Sequence, residues 1–173
     1  MSQRRKIMLL GDIGVGKTSL IRRFVLGRIE GTYKGTIGFD LFTYEVVGVG
    51  PSGQERLPVV IWDTDGNAGL NILRQETYIR GTSAVLVVGD WARPETHTVM
   101  AEIATAFRES QSGRPVLLIL NKSDLIEGQR VTPKILEPLV AEGVPLIATS
   151  ALTGDEVVPA FQETANAILR RDV

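Results

Sequence analysis

Five short apolar runs are spaced along the chain, and each is continuous rather than alternating. They are residues 7–10, 59–62, 84–88, 116–120 and 146–148. Such runs are typical of strands that are buried on both faces of a parallel sheet. Between Phe39 and Val47, polar and apolar positions alternate instead, which predicts an edge strand. A turn rich in Gly, Pro and Ser at 48–53 joins this edge strand to the next run, so these two strands are expected to be antiparallel.

Helical periodicity alternates with the strands. It covers Thr18–Leu26, Glu95–Phe107, roughly Thr132–Ala141 and Val157–Leu169. Gly27 is expected to end the first helix, and Pro138 to kink the third. Pro159 lacks an N–H and should lie in the first turn of the last helix, with Asp155 as the cap. The pattern predicts a single α/β domain over 1–173: a three-layer sandwich with a six-stranded, mostly parallel sheet, one antiparallel edge strand and about five helices.

The composition is that of an ordinary globular domain and excludes several function classes. Of 173 residues, 43% are hydrophobic and 23% charged, and the formal net charge of −1 offers no broad attraction to nucleic acid or anionic lipid. Because there is no cysteine, disulfides, thiolate metal sites and cysteine lipidation are excluded. No apolar run approaches the roughly 20 residues that span a bilayer, and no signal-peptide pattern is present. A cytoplasmic protein without an intrinsic membrane anchor is expected.

A glycine-rich loop follows the first apolar run directly. It matches GxxxxGK[ST] and, with the residue after it, consists of Gly11, Asp12, Ile13, Gly14, Val15, Gly16, Lys17, Thr18 and Ser19. Glycines let consecutive backbone N–H groups curl around a phosphate, and the helix that follows turns its positive end to the same anion. The motif assigns Lys17 to the β- and γ-phosphates and the Thr18 hydroxyl to Mg²⁺. A P-loop NTPase fold is therefore predicted, but the motif alone does not separate ATP from GTP.

Asn121, Lys122 and Asp124 stand at the end of the fourth apolar run, at the edge where open α/β sheets bind ligands. A carboxylate at Asp124 can accept hydrogen bonds from the N1–H and 2-amino group of guanine. Adenine offers no such donor pair, and a buried acceptor left unpaired costs ~1–3 kcal/mol. The Lys122 stem can lie along the base, while Asn121 can tie this loop to the phosphate loop. A second base-binding segment is expected one strand later, at Ser150, Ala151 and Leu152, where the Ala151 N–H could bond the carbonyl oxygen of guanine.

With these motifs the chain resembles the Ras superfamily of small GTPases, and within it most closely the Rab branch, from Lys6 to about Arg171. The segment YKGTIGFD at Tyr33–Asp40 resembles Rab switch I, and WDTDG at Trp62–Gly66 resembles the WDTAG segment of switch II. The resemblance implies a molecular switch that binds GTP or GDP with Mg²⁺ and hydrolyses GTP. Its switch segments, at about 30–40 and 64–80, would differ between the two nucleotide states.

The resemblance also implies roles for single residues. Thr36 would bind Mg²⁺ and contact the γ-phosphate in the GTP state, beside Thr18, and Asp63 would hold Mg²⁺ through water. Gly66 would donate its N–H to the γ-phosphate, and Tyr33 could fold over the phosphates. The implied catalytic set is Lys17, Thr36, Gly66 and Asn67. Effector, exchange-factor and GAP proteins would bind a switch surface that includes Ile37, Phe39, Leu41, Trp62, Leu70 and Tyr78.

Four positions depart from the family pattern. Asn67 is one methylene shorter than the family's water-orienting glutamine, and Asp65 adds a carboxylate beside it. Ile13 fills a small-residue position past which a GAP's arginine must move, and Ile29 replaces the aromatic residue that covers guanine. We therefore expect a low intrinsic hydrolysis rate. The alternative is a GTP-binding pseudo-GTPase scaffold with negligible hydrolysis; an ATPase or nucleotide kinase would not need Asp124.

Three further features of the sequence are a second switch-like motif, the single histidine and the absence of cysteine. The segment GQER at 53–56 spells a switch II motif but precedes the Trp62 strand, so it is expected in the hairpin turn, and Gln54 is not the catalytic glutamine. His97, near the start of a helix, is expected at the surface rather than in catalysis. The absence of a lipid-bearing cysteine suggests either a chain truncated after its last helix or, as we expect, a prokaryotic Ras-like protein.

Overall fold

The computed structural model describes residues 4–27, 38–128 and 130–172. Its centre is a six-stranded sheet in the order β2-β3-β1-β4-β5-β6. The strands are β1 (Arg5–Gly11), β2 (Phe39–Gly50), β3 (Gly53–Thr64), β4 (Thr82–Asp90), β5 (Val116–Asn121) and β6 (Leu146–Ala148). Neighbouring strands are parallel except β2 and β3, which are antiparallel. The predicted mostly parallel sheet with one antiparallel edge strand is confirmed.

Six α-helices accompany the sheet in the described residues, together with a short 3-10 helix (Ser123–Leu125). They are α1 (Lys17–Leu26), α2 (Gly69–Leu73), α3 (Glu76–Ile79), α4 (Pro94–Ser110), α5 (Glu137–Ala141) and α6 (Val157–Arg171). Two of them, α2 and α3, lie outside the four helical patterns found in the sequence; they contain five and four residues and follow β3. Helices this short bury too few positions to give a periodic pattern, which is why the sequence did not predict them.

Two apolar clusters lie on opposite faces of the sheet and explain the continuous apolar runs. Along β1, Ile7 and Leu9 belong to the cluster that includes Phe161 of α6. The alternate residues Met8 and Leu10 belong to the cluster that includes Phe107 of α4. Because successive strand side chains point to opposite faces, a strand covered on both faces has no polar positions. The structure is therefore a three-layer sandwich, as predicted.

Two predicted details of the helices are wrong. Pro138 causes no kink, because residues 134–136 form a turn and α5 begins only at Glu137. The proline thus lies in a first helical turn, where a missing N–H costs nothing. Asp155 does not cap α6; Glu156 occupies that position with φ 53°, and it makes no side-chain capping bond. At the end of α1, by contrast, the predicted stop at Gly27 is confirmed.

The edge hairpin is longer than predicted. β2 continues to Gly50 and β3 begins at Gly53, so only two residues form the turn. Gln54 pairs with Val49 inside the ladder rather than lying in the turn, which corrects that expectation. It lies ten residues along β3 from Thr64, roughly 33 Å at the rise of an extended strand. Gln54 is therefore far from Asp63, which lies near the other end of β3. Among the described residues, no helix is both long and apolar enough to cross a bilayer.

Candidate nucleotide-binding site

The carboxyl ends of the parallel strands bring most of the predicted site residues to one edge of the sheet. Gly11 ends β1, Asp63 lies one residue before the end of β3, and Asn121 ends β5. Edges of this kind are where open α/β sheets bind ligands. Tyr33, Thr36 and Ile37, and also Ile29, lie outside the described residues, so their predicted roles stay predictions.

The phosphate loop between β1 and α1 needs its glycines. Gly14 has φ 74° and Gly16 has φ 99°, in the left-handed region that favours glycine. A Cβ built on Gly16 would lie 2.4 Å from Nδ2 of Asn121. The loop and the base-binding segment are thus in direct contact at a point where only a hydrogen atom fits.

Five consecutive carbonyl groups of this loop each accept a hydrogen bond from a side chain. The pairs are Lys17 Nζ to Gly11 and Asp12 (3.0 and 2.9 Å), Arg93 Nη2 to Ile13 (2.8 Å), Lys122 Nζ to Gly14 (2.8 Å) and Asn121 Nδ2 to Val15 (3.0 Å). A trans peptide points its N–H opposite to its carbonyl, and the described residues contain no cis peptide. The donors Arg93, Lys122 and Asn121 therefore turn the N–H groups of Gly14, Val15 and Gly16 the other way, as an anion cradle requires.

Lys17 is buried within this loop. Burial lowers the pKa of Lys17 to about 8, even though the carboxylates of Asp63, Asp12 and Asp65 act in the opposite direction. Its ammonium group is held by the two loop carbonyls that precede Ile13. A phosphate at the loop would compensate the buried charge, so the environment is suited to an anion.

Thr18 and Asp63 form a set of oxygen donors beside the loop. The Thr18 hydroxyl donates to Oδ2 of Asp63 at 2.5 Å, and Asp63 is fully buried. The neighbouring Thr64 hydroxyl donates to the carbonyl of Leu9 at 2.7 Å, which fixes the end of β3 against β1. Mg²⁺ prefers hydroxyl and carboxylate oxygens of this kind, usually one or two from the protein beside those of phosphates. The residues therefore fit the predicted Mg²⁺ ion.

The DxxG segment, residues 63–66, lies directly against the phosphate loop. A Cβ on Gly66 would be 2.4 Å from Cα of Ile13 and 2.5 Å from its backbone nitrogen, so no larger residue fits there. Next to it, Asn67 donates its backbone N–H and its Nδ2 to Oδ1 of Asp65, at 3.0 and 3.3 Å. The Ile13 side chain is 48% exposed. All the departures predicted from the sequence that lie in the described residues thus meet at one place.

The two segments that are predicted to bind the base are joined to each other. Oδ1 of Asn121 accepts hydrogen bonds from the Thr149 hydroxyl and the Ala151 N–H, both at 3.1 Å. Oδ1 of Asp124 accepts from the Ser150 hydroxyl at 2.6 Å. Asp124 and Leu152 are both exposed. The Ala151 N–H is directed to Asn121. A hydrogen bond from this N–H to guanine therefore remains a prediction from the sequence.

Asp90 and Arg93 lie at the same site, although no motif in the sequence predicted them. Asp90 ends β4 at the same sheet edge and is 2% exposed. Its Oδ1 accepts the Ala92 N–H at 2.9 Å, and its Oδ2 accepts from Lys122 at 2.7 Å and from Arg93 Nε at 3.2 Å. Burial acts to raise the pKa of Asp90, but these hydrogen bonds together hold it below the ordinary value. The sequence did contain a signal for Asp90: it follows the 84–88 apolar run after a single glycine, so it is expected at the carboxyl end of a buried strand.

Two further residues have roles that the sequence did not predict. His97 is buried rather than at the surface, and its Nε2 forms a hydrogen bond of 2.8 Å with the Asp90 carbonyl, which corrects the expectation. Arg23 of α1 donates from Nε to the Ala151 carbonyl at 2.8 Å, and from its other nitrogens to Leu152 and Gly27. It therefore connects the end of α1 with the second base-binding segment.

The predicted partner surface contains a cluster of aromatic rings. The ring centroid of Phe39 lies 5.3 Å from that of Trp62 and 4.7 Å from that of Tyr78. Lys6 Nζ lies 3.9 Å from the Trp62 ring centroid, a cation–π contact. Leu41 pairs with Trp62 across the β2–β3 ladder, and its side chain is exposed. These residues are therefore adjacent, with three of them packed together.

Comparison with known proteins agrees with this geometry. A sequence model of the Ras family matches residues 6–170. The chain is 32% identical to the Ypt/Rab-type GTPase avaA of Emericella nidulans, over 99% of this chain and 87% of that protein. It is 32% identical to Ras-related protein Rab-13 of Mesocricetus auratus (95% and 79%) and 30% identical to Ypt/Rab-type GTPase YPT7 of Saccharomyces cerevisiae (99% and 86%). The chain belongs to the Ras family, as a Rab-like member of the superfamily of small GTPases.

Proposed function

We propose that this protein is a molecular switch that binds GTP or GDP together with Mg²⁺ and hydrolyses GTP to GDP and phosphate at a low intrinsic rate. The observation that carries the proposal is the phosphate loop, which contacts Asn121 of the base-binding segment on one side and Gly66 of the DxxG segment on the other. The names of two of the relatives, both Ypt/Rab-type GTPases, support the same activity.

Mg²⁺ would be held by Thr18 and Asp63, joined in the GTP state by Thr36. When bound, the ion neutralises negative charge on the phosphates. Lys17 would bind the β- and γ-phosphates, and the Gly66 N–H would face the γ-phosphate. Since Gly66 lies against the backbone of Ile13, movement of the DxxG segment would be coupled to the phosphate loop. Segments 30–40 and 64–80 are proposed to differ between the two nucleotide states.

Two features support a low intrinsic rate. The Asn67 carboxamide is one methylene shorter than the usual glutamine and is bonded to Asp65. A misplacement near 1 Å can cost ~10²-fold in rate. The Asp65 carboxylate would also add negative charge beside an anionic transition state, which opposes the electrostatic stabilisation that such sites supply. The exposed Ile13 side chain would obstruct an arginine donated by a GAP.

The aromatic cluster supports a partner surface. Phe39, Trp62 and Tyr78 would bind effectors, exchange factors and GAPs, together with exposed Leu41 and half-buried Leu70. Because Phe39 and Tyr78 belong to the two proposed switch segments, the shape of this cluster would depend on the nucleotide. A cytoplasmic location stays a prediction from the sequence.

Nucleotide competition and single-turnover hydrolysis test this function. Nucleotide-free protein is titrated with fluorescently labelled GDP in the presence of Mg²⁺, and GTP and ATP compete for the site. We expect GTP to displace the probe at a concentration at least ~10²-fold lower than ATP, because a site with hydrogen-bonding groups for one base rejects a base that lacks the partners. Equal displacement by ATP would contradict guanine binding.

The alternative, a nucleotide-binding scaffold with negligible hydrolysis, gains no support from relatives that are named GTPases. Single-turnover hydrolysis of bound GTP separates the two functions. A slow but measurable release of phosphate supports the switch. No phosphate release above the protein-free control would favour the scaffold.

A further inference from the structure

Arg93 contacts the phosphate loop although no motif assigns it there. Its Nη2 donates to the Ile13 carbonyl at 2.8 Å, while its Nε donates to Oδ2 of Asp90 at 3.2 Å. A Cβ built on Gly14 would be 3.7 Å from the same Nη2. The guanidinium group therefore lies between a buried carboxylate and the backbone of the Ile13–Gly14 peptide.

The segment before α4 holds Arg93 in this position. Its own N–H donates to the Asp90 carbonyl at 3.1 Å, and its carbonyl accepts from the Thr96 hydroxyl at 2.7 Å. Asp90 is fixed in turn by the Ala92 N–H and by Lys122. With backbone and carboxylate both fixed, the planar guanidinium loses little additional freedom when it binds the loop.

The hydrogen bond from Arg93 to the Ile13 carbonyl also affects the Gly14 N–H, which belongs to the same peptide group. Because the peptide is trans, the Gly14 N–H points away from Arg93. A charged donor on a carbonyl makes a strong hydrogen bond, and hydrogen bonds in a chain polarise one another. The contact thus orients the Gly14 N–H and increases its partial positive charge on the face of the loop that is turned from the guanidinium.

We propose that Arg93, oriented by Asp90, is a positioning residue for phosphate recognition that acts through the Ile13–Gly14 peptide on the β-phosphate of a bound guanine nucleotide. The inference rests on the proposed function, in that this loop binds the nucleotide. Arg93 differs from Lys122, which shares Asp90 Oδ2 and holds the Gly14 carbonyl, because Lys122 belongs to the base-binding motif. Consistent with this position, Arg93 contributes to the lowered pKa of Lys17, after burial as the main cause.

The test compares Arg93→Ala and Arg93→Lys with the parent protein and with Arg108→Ala as a matched control. Arg108 lies on α4, the helix that follows Arg93, and pairs with Glu142 instead of the loop. Release of fluorescently labelled GDP is measured in each protein, and GMP affinity is measured by competition. GMP has no β-phosphate, so it reports on the rest of the site.

We expect Arg93→Ala to release GDP about tenfold faster than the parent, the size of a lost charged hydrogen bond, with GMP affinity unchanged within about twofold. Arg93→Lys should recover part of this loss, because an ammonium keeps the charge but lacks the fork that reaches Asp90 and Ile13 together. Arg108→Ala should behave as the parent.

An unchanged GDP release rate in Arg93→Ala would overturn the inference alone, provided that the parent binds GDP. Equal losses for GDP and GMP would also overturn it, since Arg93 would then only support the fold. If the parent does not bind GDP at all, both the proposed function and this inference are wrong.

Discussion

Asn67 directs both its backbone N–H and its side-chain Nδ2 to a single oxygen, Oδ1 of Asp65, at 3.0 and 3.3 Å. The carboxamide proposed to orient the attacking water is thus bonded to a carboxylate two residues before it. Two substitutions, one at each residue, therefore affect the same geometry.

Hydrolysis is expected to rise when Asn67 is lengthened. Asn67→Gln should increase the single-turnover rate about tenfold, because the longer side chain reaches farther toward the γ-phosphate. Asp65→Ala, which releases the carboxamide and removes a negative charge, should increase the rate further in combination. Asn71→Gln is the matched control, since Asn71 is exposed on α2. A parent rate equal to that of the double variant would contradict the prediction.

Guanine selectivity is expected to depend on Asp124. Asp124→Asn should weaken GDP binding at least tenfold and improve binding of xanthosine diphosphate, whose additional carbonyl matches an amide donor. Competition against labelled GDP measures both changes. Asp155→Asn, a substitution at an exposed residue one loop away, should leave both affinities unchanged. Equal losses in the two variants would argue against contact between Asp124 and the base.

Nucleotide affinity is expected to fall as the pH rises through about 8. The pKa of Lys17 is lowered to about 8 in the nucleotide-free protein, whereas phosphates that bind the ammonium would raise it. Binding then takes up a proton above pH 8, so GDP affinity is greatest below pH 8 and declines toward pH 9. Lys17→Met should remove this decline, while Lys134→Met, at an exposed lysine, should keep it. A GDP affinity of the parent that does not change between pH 7 and 9 would contradict this prediction.

The same lowered pKa determines the sign of a stability effect. A lysine whose folded pKa is below its unfolded pKa destabilises the fold while both states are protonated, that is, below about pH 8. The penalty disappears as the pH rises from about 8 toward the unfolded value. Nucleotide-free Lys17→Met should therefore melt at a higher temperature than the parent at pH 7, with a smaller difference at pH 10. Thermal unfolding followed by circular dichroism measures both.

Removal of Mg²⁺ is expected to accelerate GDP release by at least tenfold, because the ion neutralises phosphate charge. In Asp63→Ala, release should be fast already and should respond little to EDTA, since the buried carboxylate beside Thr18 is lost. Asp40→Ala is the matched control, because Asp40 is exposed and pairs with Asp63 across the β2–β3 ladder. If the GDP release rate of the parent protein is the same with and without EDTA, the assignment of Asp63 to Mg²⁺ is wrong.

Local patterns in the sequence were sufficient to predict the sheet and the loops that form the candidate site. Continuous apolar runs predict β1, β3, β4, β5 and β6, because a strand covered on both faces admits no polar alternation. The phosphate loop follows from its glycines, and the position of Asn121 from the strand that precedes it. These features depend on neighbours along the chain, so they can be predicted without knowing the fold.

Only the tertiary structure decided which side chains meet at the phosphate loop. Arg93 lies 80 positions from Ile13 along the chain, and the two meet because β4 lies beside β1 in the sheet. The burial of His97 and the exposure of Asp124 likewise depend on which elements cover each residue. Hydrogen bonds between residues far apart in the sequence arise from packing, so a local pattern does not predict which distant residue a side chain contacts. That is why the sequence predicted the cradle but not the arginine that holds it.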